Sequence, residues 1–301
     1  MRQVPVSSSA IVVQPSRTSI GRAVAWMVGA LLSFSATAVA IRALSPAFTI
    51  FEILSLRNAA ALVMLVAYAA IRRESLRPHR FALHGLRNVV HFGATYAWAL
   101  GVTLLPLATV FALEFTTPAW VALLAAPLLR ERLDTGRLIA VGFGFLGVLI
   151  ILRPGFEAIR PAALIVLAAA FGFAVTTITT KLLTRTVSTL AIMFWMNAIQ
   201  LPLNLIGTRP RFWDMIEVGQ ALPIAGVCLG GLLSHVCLTN AYRHGDAVMV
   251  LPIDFLRVPL IALVGWLLYA ERLDPFVFLG AAVIVAGIVF NLRSESRHAK
   301  R

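Results

Sequence analysis

The stretch FALEFTTPAW, residues 111–120, decides how this chain is read. It sits inside an apolar run from about residue 106 to 129, long enough to cross a bilayer as a helix. The run carries a carboxylate, Glu114, which hydrocarbon tolerates poorly. Four residues on stands Pro118, which has no N–H and so cannot bond back to the Glu114 carbonyl. One helical turn therefore holds an acid and a freed backbone acceptor. Such a turn faces protein or an aqueous cavity rather than lipid, and Thr116 and Thr117 can supply local hydroxyls.

The arrangement recurs further along the chain. Leu113-Glu114-Phe115 matches Ile253-Asp254-Phe255 at an offset of 140 residues. At the same offset Glu131-Arg132-Leu133-Asp134 matches Glu271-Arg272-Leu273-Asp274, and Arg153 falls on Arg293. At an offset of 139, Ser33-Phe34 falls on Gly172-Phe173 and Arg42 on Lys181. The chain reads as two copies of one unit.

Composition sets the class. Of 301 residues, 59% are hydrophobic and 13% charged, where a soluble domain carries about 25% charge. The apolar residues come in long runs, so the reading is an all-α polytopic membrane protein. The formal charge of +13 reflects arginines that flank helices as topology signals, and no basic-aromatic motif points to nucleic acid. Cys228 and Cys237 fall in one predicted helix, about 13 Å apart, too far for a disulfide.

Residues 1–21 read as a polar, disordered cytoplasmic tail rather than a cleaved signal peptide. Ten spans follow, at roughly 23–44, 48–71, 81–102, 106–129, 136–153, 161–182, 187–207, 220–241, 246–270 and 275–292. The first repeat covers 22–153 and the second 154–292, with a basic tail at 293–301. The fifth and tenth spans are the short ones. Seventeen Lys and Arg fall on the side of the N-terminus and six on the other, which puts both termini in the cytoplasm of a cell with an inner membrane. Five spans per repeat is an odd number, so the copies have opposite orientation. Inverted repeats of this kind typify secondary transporters, with the site at mid-membrane between the halves.

Arg57, Arg87, Arg257, Glu52, Glu114 and Asp254 lie inside spans, three charges of each sign. Asp254 and Arg257 are three apart and share a helix face, with Pro252 and Pro259 loosening the backbone around them. They form either a water-accessible site or a structural pair. Glu114 lacks a partner in its own helix, and Arg57 or Arg87 is the cross-helix candidate. Arg87, His91, Thr95 and Trp98 form one stripe in the third span, suited to ligand contact or to packing. His235, Thr239 and Tyr242 form the corresponding stripe in the eighth, where His235 reads as a satisfied core histidine. Glu52 lies a turn from the outer surface and is expected to snorkel, and Arg57 leans structural. The four threonines of residues 176–180 can satisfy themselves on their own helix. Gly226 and Gly230, and Gly142, Gly144 and Gly147, read as close helix contacts. Trp213 reads as an interfacial anchor. GxSxG, HExxH, P-loop and GxGxxG motifs are absent, and no metal-spaced cluster or cofactor motif occurs.

Two five-span repeats, each with an acidic-loop signature after its fourth helix (RERLD at 130–134, AERLD at 270–274), resemble the drug/metabolite transporter superfamily. LLPLATVFALEFTTPAWVALL at 104–124 resembles its EamA-type branch. The resemblance covers about residues 22–292. It implies that spans 1–4 and 6–9 form a basket around a central cavity, with spans 5 and 10 to one side. It also implies a small-molecule cargo moved with proton or exchange coupling. The repeats are unequal: Val258 stands where Pro118 would fall, with Pro259 next, and Met196 stands where Arg57 would.

The sequence thus leads to an inner-membrane secondary transporter of small polar metabolites, monomeric or homodimeric and surrounded by lipid. Amino acids or their derivatives come first as cargo. The expected substrate contacts are Glu114, Asp254, Arg257, Arg87, His91, Trp98 and Tyr242, with helix breaks at Pro118, Pro252 and Pro259. Rival readings are an intramembrane lipid-modifying enzyme and a channel-like pore.

Overall fold

A computed structural model describes residues 20–77, 80–129, 135–153, 160–184, 186–244 and 253–298. Among these residues every long element is an α-helix. In chain order they are α1 (Ile20–Leu44), α2 (Ile50–Arg72), α3 (Phe81–Leu104), α4 (Leu107–Glu114), α5 (Thr117–Leu129) and α6 (Thr135–Leu152). The second repeat gives α7 (Pro161–Leu183), α8 (Thr189–Leu205), α9 (Ala221–His244), α10 (Arg257–Tyr269) and α11 (Pro275–His298). Two short 3-10 turns, Phe212–Met215 and Val218–Gln220, lie between α8 and α9. The RERLD segment, Pro252, the N-terminal tail and the side chain of Tyr242 lie outside the described residues.

The fourth expected span is two helices, α4 and α5, divided at Phe115 and Thr116. The ninth is divided at the equivalent place: Ile253 and Asp254 are helical, Phe255 and Leu256 form a turn, and α10 begins at Arg257. Pro118 is the second residue of α5, a position where a missing N–H costs nothing. The carbonyls freed by the break are taken up locally. The Thr116 hydroxyl donates to Leu113 O and the Thr117 hydroxyl to Glu114 O, both at 2.7 Å.

The tenth span is not short. With no Gly or Pro after Gly287 to stop it, α11 continues to His298, so the expected tail from residue 293 starts as helix.

The helices pair as a pseudo-two-fold requires. α1 packs on α9 and α3 on α7, contacts that the repeat exchanges, α2–α8 and α6–α11 join equivalents, and α4 packs on α10, the first half of one broken span on the second half of the other. This is an all-α membrane protein of two inverted five-helix repeats. Large apolar side chains such as Val63 (70% exposed) face outward, where lipid is the solvent. Lipid gives no hydrophobic drive between helices, so close packing at small residues holds them. A Cβ added at Gly230 would collide with Thr37, and one at Gly226 would come within 3.1 Å of Ala40, both on α1. Gly101 admits Val166, and Gly172 lies on Ala94, between α3 and α7. Gly147 and Gly280 lie backbone to backbone between α6 and α11, and Gly144 lies against Ala119. Gly142 has open space beside it.

One end of the bundle is closed. The apolar core gathers there, at residues 38–54, 98–115 and 163–169. Arg42 at the end of α1 forms an ion pair with Glu271 and donates to the carbonyls of Val102 and Leu105. The second Glu271 oxygen accepts the Leu107 N–H at 3.0 Å, at the N-terminus of α4, where the helix dipole favours an anion. Arg153 bonds Asp274 at 2.7 Å. Glu52 does not snorkel. It is fully buried, caps α2 reciprocally with Thr49, and accepts from Arg209 at 2.7–2.8 Å. Each of these three pairs joins one repeat to the other.

Candidate functional site

The basket encloses a cavity of about 620 Å³, within the usual range for sites that hold a small organic molecule. Its walls come from α1–α5 and α7–α10 together with Asp254, and among the described residues none of α6 or α11 lines it. It reaches from the helix breaks toward the end carrying Arg87, Thr180 and Met193, away from the closed end. A smaller cavity, about 320 Å³, lies at the closed end beside Arg153, Arg160 and Glu271.

At the floor of the large cavity the two breaks meet. Arg257, the first residue of α10, holds Asp254 at 3.0 Å and Glu114 at 3.6 Å. Glu114 also accepts the Trp98 indole N–H at 2.8 Å. Its cross-helix partner is therefore Arg257, not Arg57 or Arg87 as expected. The pseudo-two-fold brings α4 against α10, while Arg57 and Arg87 stand on other walls. Arg257 is 5% exposed, and its guanidinium lies 4.4 Å from the Phe34 ring and 5.1 Å from the Phe115 ring, within cation–π range. The cluster is not saturated: Arg257 Nε and Nη1 and Asp254 Oδ1 are buried without a hydrogen-bond partner. Native proteins rarely leave such groups unpaired, so the cluster carries polar capacity that its neighbours leave unused.

The third-span stripe faces the cavity as a unit: Arg87, His91, Thr95 and Trp98 all line it. Arg87 donates to Thr180 and to Asn88, both at 2.7 Å. His91 Nδ1 lies 2.8 Å from the Gln200 amide and 3.2 Å from the Thr95 hydroxyl, and its ring packs near Phe173. His235 is not a satisfied core histidine. Its ring is exposed to the cavity, edge-on to Phe34. The reason is local: Gly231, one turn before it, leaves room on that wall, which the Arg57 side chain enters. Arg57, expected to lean structural, lines the cavity too. Pro118 is a lining residue, whereas Pro259 lies within α10 and does not line the cavity. The hydroxyls of Thr176 and Thr180 bond their own helix carbonyls, as expected, yet both residues also line the cavity. Sequence reasoning passed over the apolar liners Phe34, Phe173 and Met196 and the amide of Asn197. The match of Phe34 to Phe173 across the repeat was the signal that could have found the first two.

The model of the EamA-like transporter family matches residues 21–153 and again 160–293. A protein of Rhizobium johnstonii named riboflavin transporter is 29% identical over 302 residues, covering 98% of each chain. A riboflavin transporter of Vibrio cholerae is 30% identical over 249 residues, covering 81% of this chain and 83% of that one. An S-adenosylmethionine uptake transporter of Rickettsia felis is 25% identical over 281 residues, 92% and 95% of the two chains. A solved crystal structure superposes with a TM-score of 0.61 at 18% identity, covering 95% of this chain and all of the other, which shows a shared fold.

Proposed function

Because the chain belongs to the EamA-like transporter family, and is a multi-pass membrane transporter rather than an enzyme, we propose that it carries a small polar metabolite across the inner membrane by alternating access, with both termini in the cytoplasm. The observation that carries this reading is Arg257, shared by Glu114 and Asp254 where the two broken helices meet. Broken helices at the repeat interface are where transporters of this architecture hold cargo and coupling ion.

The cargo is an amino-acid derivative or another polar metabolite with a planar ring. Aromatic walls at Phe34, Phe115, Phe173 and Trp98 offer stacking surface, and the charged floor offers orientation. Similarity to proteins named for riboflavin and for S-adenosylmethionine, both ring-bearing, supports the same class. Glu114, Asp254, Arg257, Arg87, His91 and Trp98 are the proposed contacts, and Tyr242 is kept from the sequence. The break at Pro118 is the proposed hinge, with Pro252 and Pro259 as its counterparts in the other repeat.

Two carboxylates against one guanidinium leave one negative charge uncompensated at the floor, which a proton can neutralise. Glu114 is the proposed carrier because it is the more distant from Arg257. The other charged and titratable groups on the cavity walls are Arg57, Arg87, His91 and His235.

Purified protein in liposomes, offered a metabolite mixture under an imposed pH gradient, tests the reading. Accumulation of a ring-bearing polar compound that collapses with the gradient is the expected result. Flux that ignores the gradient and shows no saturation would make the protein a channel-like pore.

A further inference from the structure

The cavity holds three guanidiniums, Arg57, Arg87 and Arg257, against two carboxylates, Glu114 and Asp254. Both carboxylates are held by Arg257. Among the described residues no carboxylate lies within ion-pair distance of Arg57 or Arg87. Their partners are neutral. Arg57 reaches only the Asn58 side-chain oxygen, at 3.3 and 3.4 Å, and Arg87 has Thr180, Asn88 and the Met196 sulfur.

A guanidinium held inside a membrane protein without a counter-charge is costly, and structural packing does not ask for one. Symmetry does not ask for one either. In the second repeat Met196 stands where Arg57 would fall, and α9, the counterpart of α3, carries no Lys or Arg before Arg243. The two arginines are also staggered. Arg57 lies seven residues into α2, about 10 Å along the axis from the closed end, and Arg87 lies six residues into α3, about 9 Å from the opposite end. Together they form a positive wall that runs along the cavity from its far end to its middle. Guanidinium matches carboxylate and phosphate oxygens in geometry as well as charge.

We propose that Arg57 and Arg87 form an anion subsite on the α2–α3 wall, and that the transported molecule presents a carboxylate or phosphate group to it. The inference rests on the central cavity being the transport site.

The test uses the full chain in lipid nanodiscs and matched pairs of probes that differ by one anionic group. These are riboflavin and its 5′-phosphate, adenosine and its 5′-phosphate, and tryptophanamide and tryptophan. Equilibrium binding should show at least one pair in which the anionic member binds ten-fold tighter or more at low salt. The advantage should shrink as ionic strength rises. Whether the phosphate pairs or the carboxylate pair shows it identifies the group. Arg57→Met and Arg87→Met should each erase the advantage, and Arg57→Lys should keep part of it. Without ligand, the two Met variants should unfold at the same temperature as wild type or higher, because each loses a charge that no carboxylate compensates.

Three results overturn the subsite: equal binding of both members of every binding pair, an advantage that survives the Met variants, or no binding by any pair. Trp98→Ala separates the two levels of the argument. If it weakens both members of a pair while the arginine variants change nothing, the cavity is right and the anion subsite wrong. If it too changes nothing, the cavity itself is not where these probes bind.

Discussion

Arg257 of the second repeat and Glu114 of the first face each other at 3.6 Å, each at the break of its own helix. The two residues are far apart in sequence and meet because the pseudo-two-fold lays α4 on α10. The cation at one repeat's break is therefore shared with the carboxylate at the other's.

Glu114→Gln keeps the Trp98 contact but cannot exchange a proton. The pH dependence of transport in proteoliposomes should disappear while cargo still binds. Asp254→Asn should instead weaken binding or folding, since it removes the nearer partner of Arg257. Full pH-dependent transport by Glu114→Gln would return Glu114 to a purely structural pairing.

Arg257→Met leaves two buried carboxylates without their shared cation, and should lower unfolding stability by about 3–5 kcal/mol. Adding Glu114→Gln and Asp254→Asn to that variant should recover most of the loss. Chemical denaturation in detergent of the single, double and triple variants checks this, and an undiminished loss in the triple variant would show that packing on Phe34 and Phe115 dominates instead.

Pro118→Ala restores an N–H at the start of α5. Membrane insertion should be normal and transport impaired, because a straighter fourth span no longer presents Glu114 at a hinge. The hydroxyls of Thr116 and Thr117 already hold the break, so Thr116→Val with Thr117→Val in the same chain should deepen the defect. Unchanged kinetics in the triple variant would mark the break as tolerated packing.

Arg42→Ala and Glu271→Gln should each loosen the closed end. Cysteines placed at Thr109 or Ala163, beside the smaller cavity, should label faster with a membrane-impermeant maleimide than in the parent chain. The same labelling rates would mean that the apolar core alone keeps this end shut.

A reporter fused after Arg301 should signal cytoplasm, as the bias of seventeen basic residues to six requires. A periplasmic signal would contradict the count of ten spans.

Much of this architecture was legible from residue spacing. The offset of 140 that carries Glu114 onto Asp254 also carries the first residue of α5, Thr117, onto the first residue of α10, Arg257. Both breaks therefore share one register, and prolines near each had already announced them. Partnership was not legible. Three arginines were available to Glu114, and nothing along the chain ranks them; only the packing of equivalent spans on one another does. Glu52 was misjudged for the same reason, because its partner Arg209 comes from a loop of the other repeat. His235 needed the shape of the wall around Gly231, a property of packed volume that no periodicity records.

The glycine contacts described above bind α9 to α1 and α7 to α3, helices drawn from different repeats. Gly29 adds to the first pair, lying beside Cys237. Helices seated so closely on one another cannot slide apart without exposing their backbones, so under the proposed alternating access each pair would move as a single lever. The mechanical parts of this protein therefore do not coincide with its duplicated halves. Under the proposed alternating access, a rocking motion that opens one end must swing a pair built from one helix of each copy, and the seam between the pairs runs past Arg257.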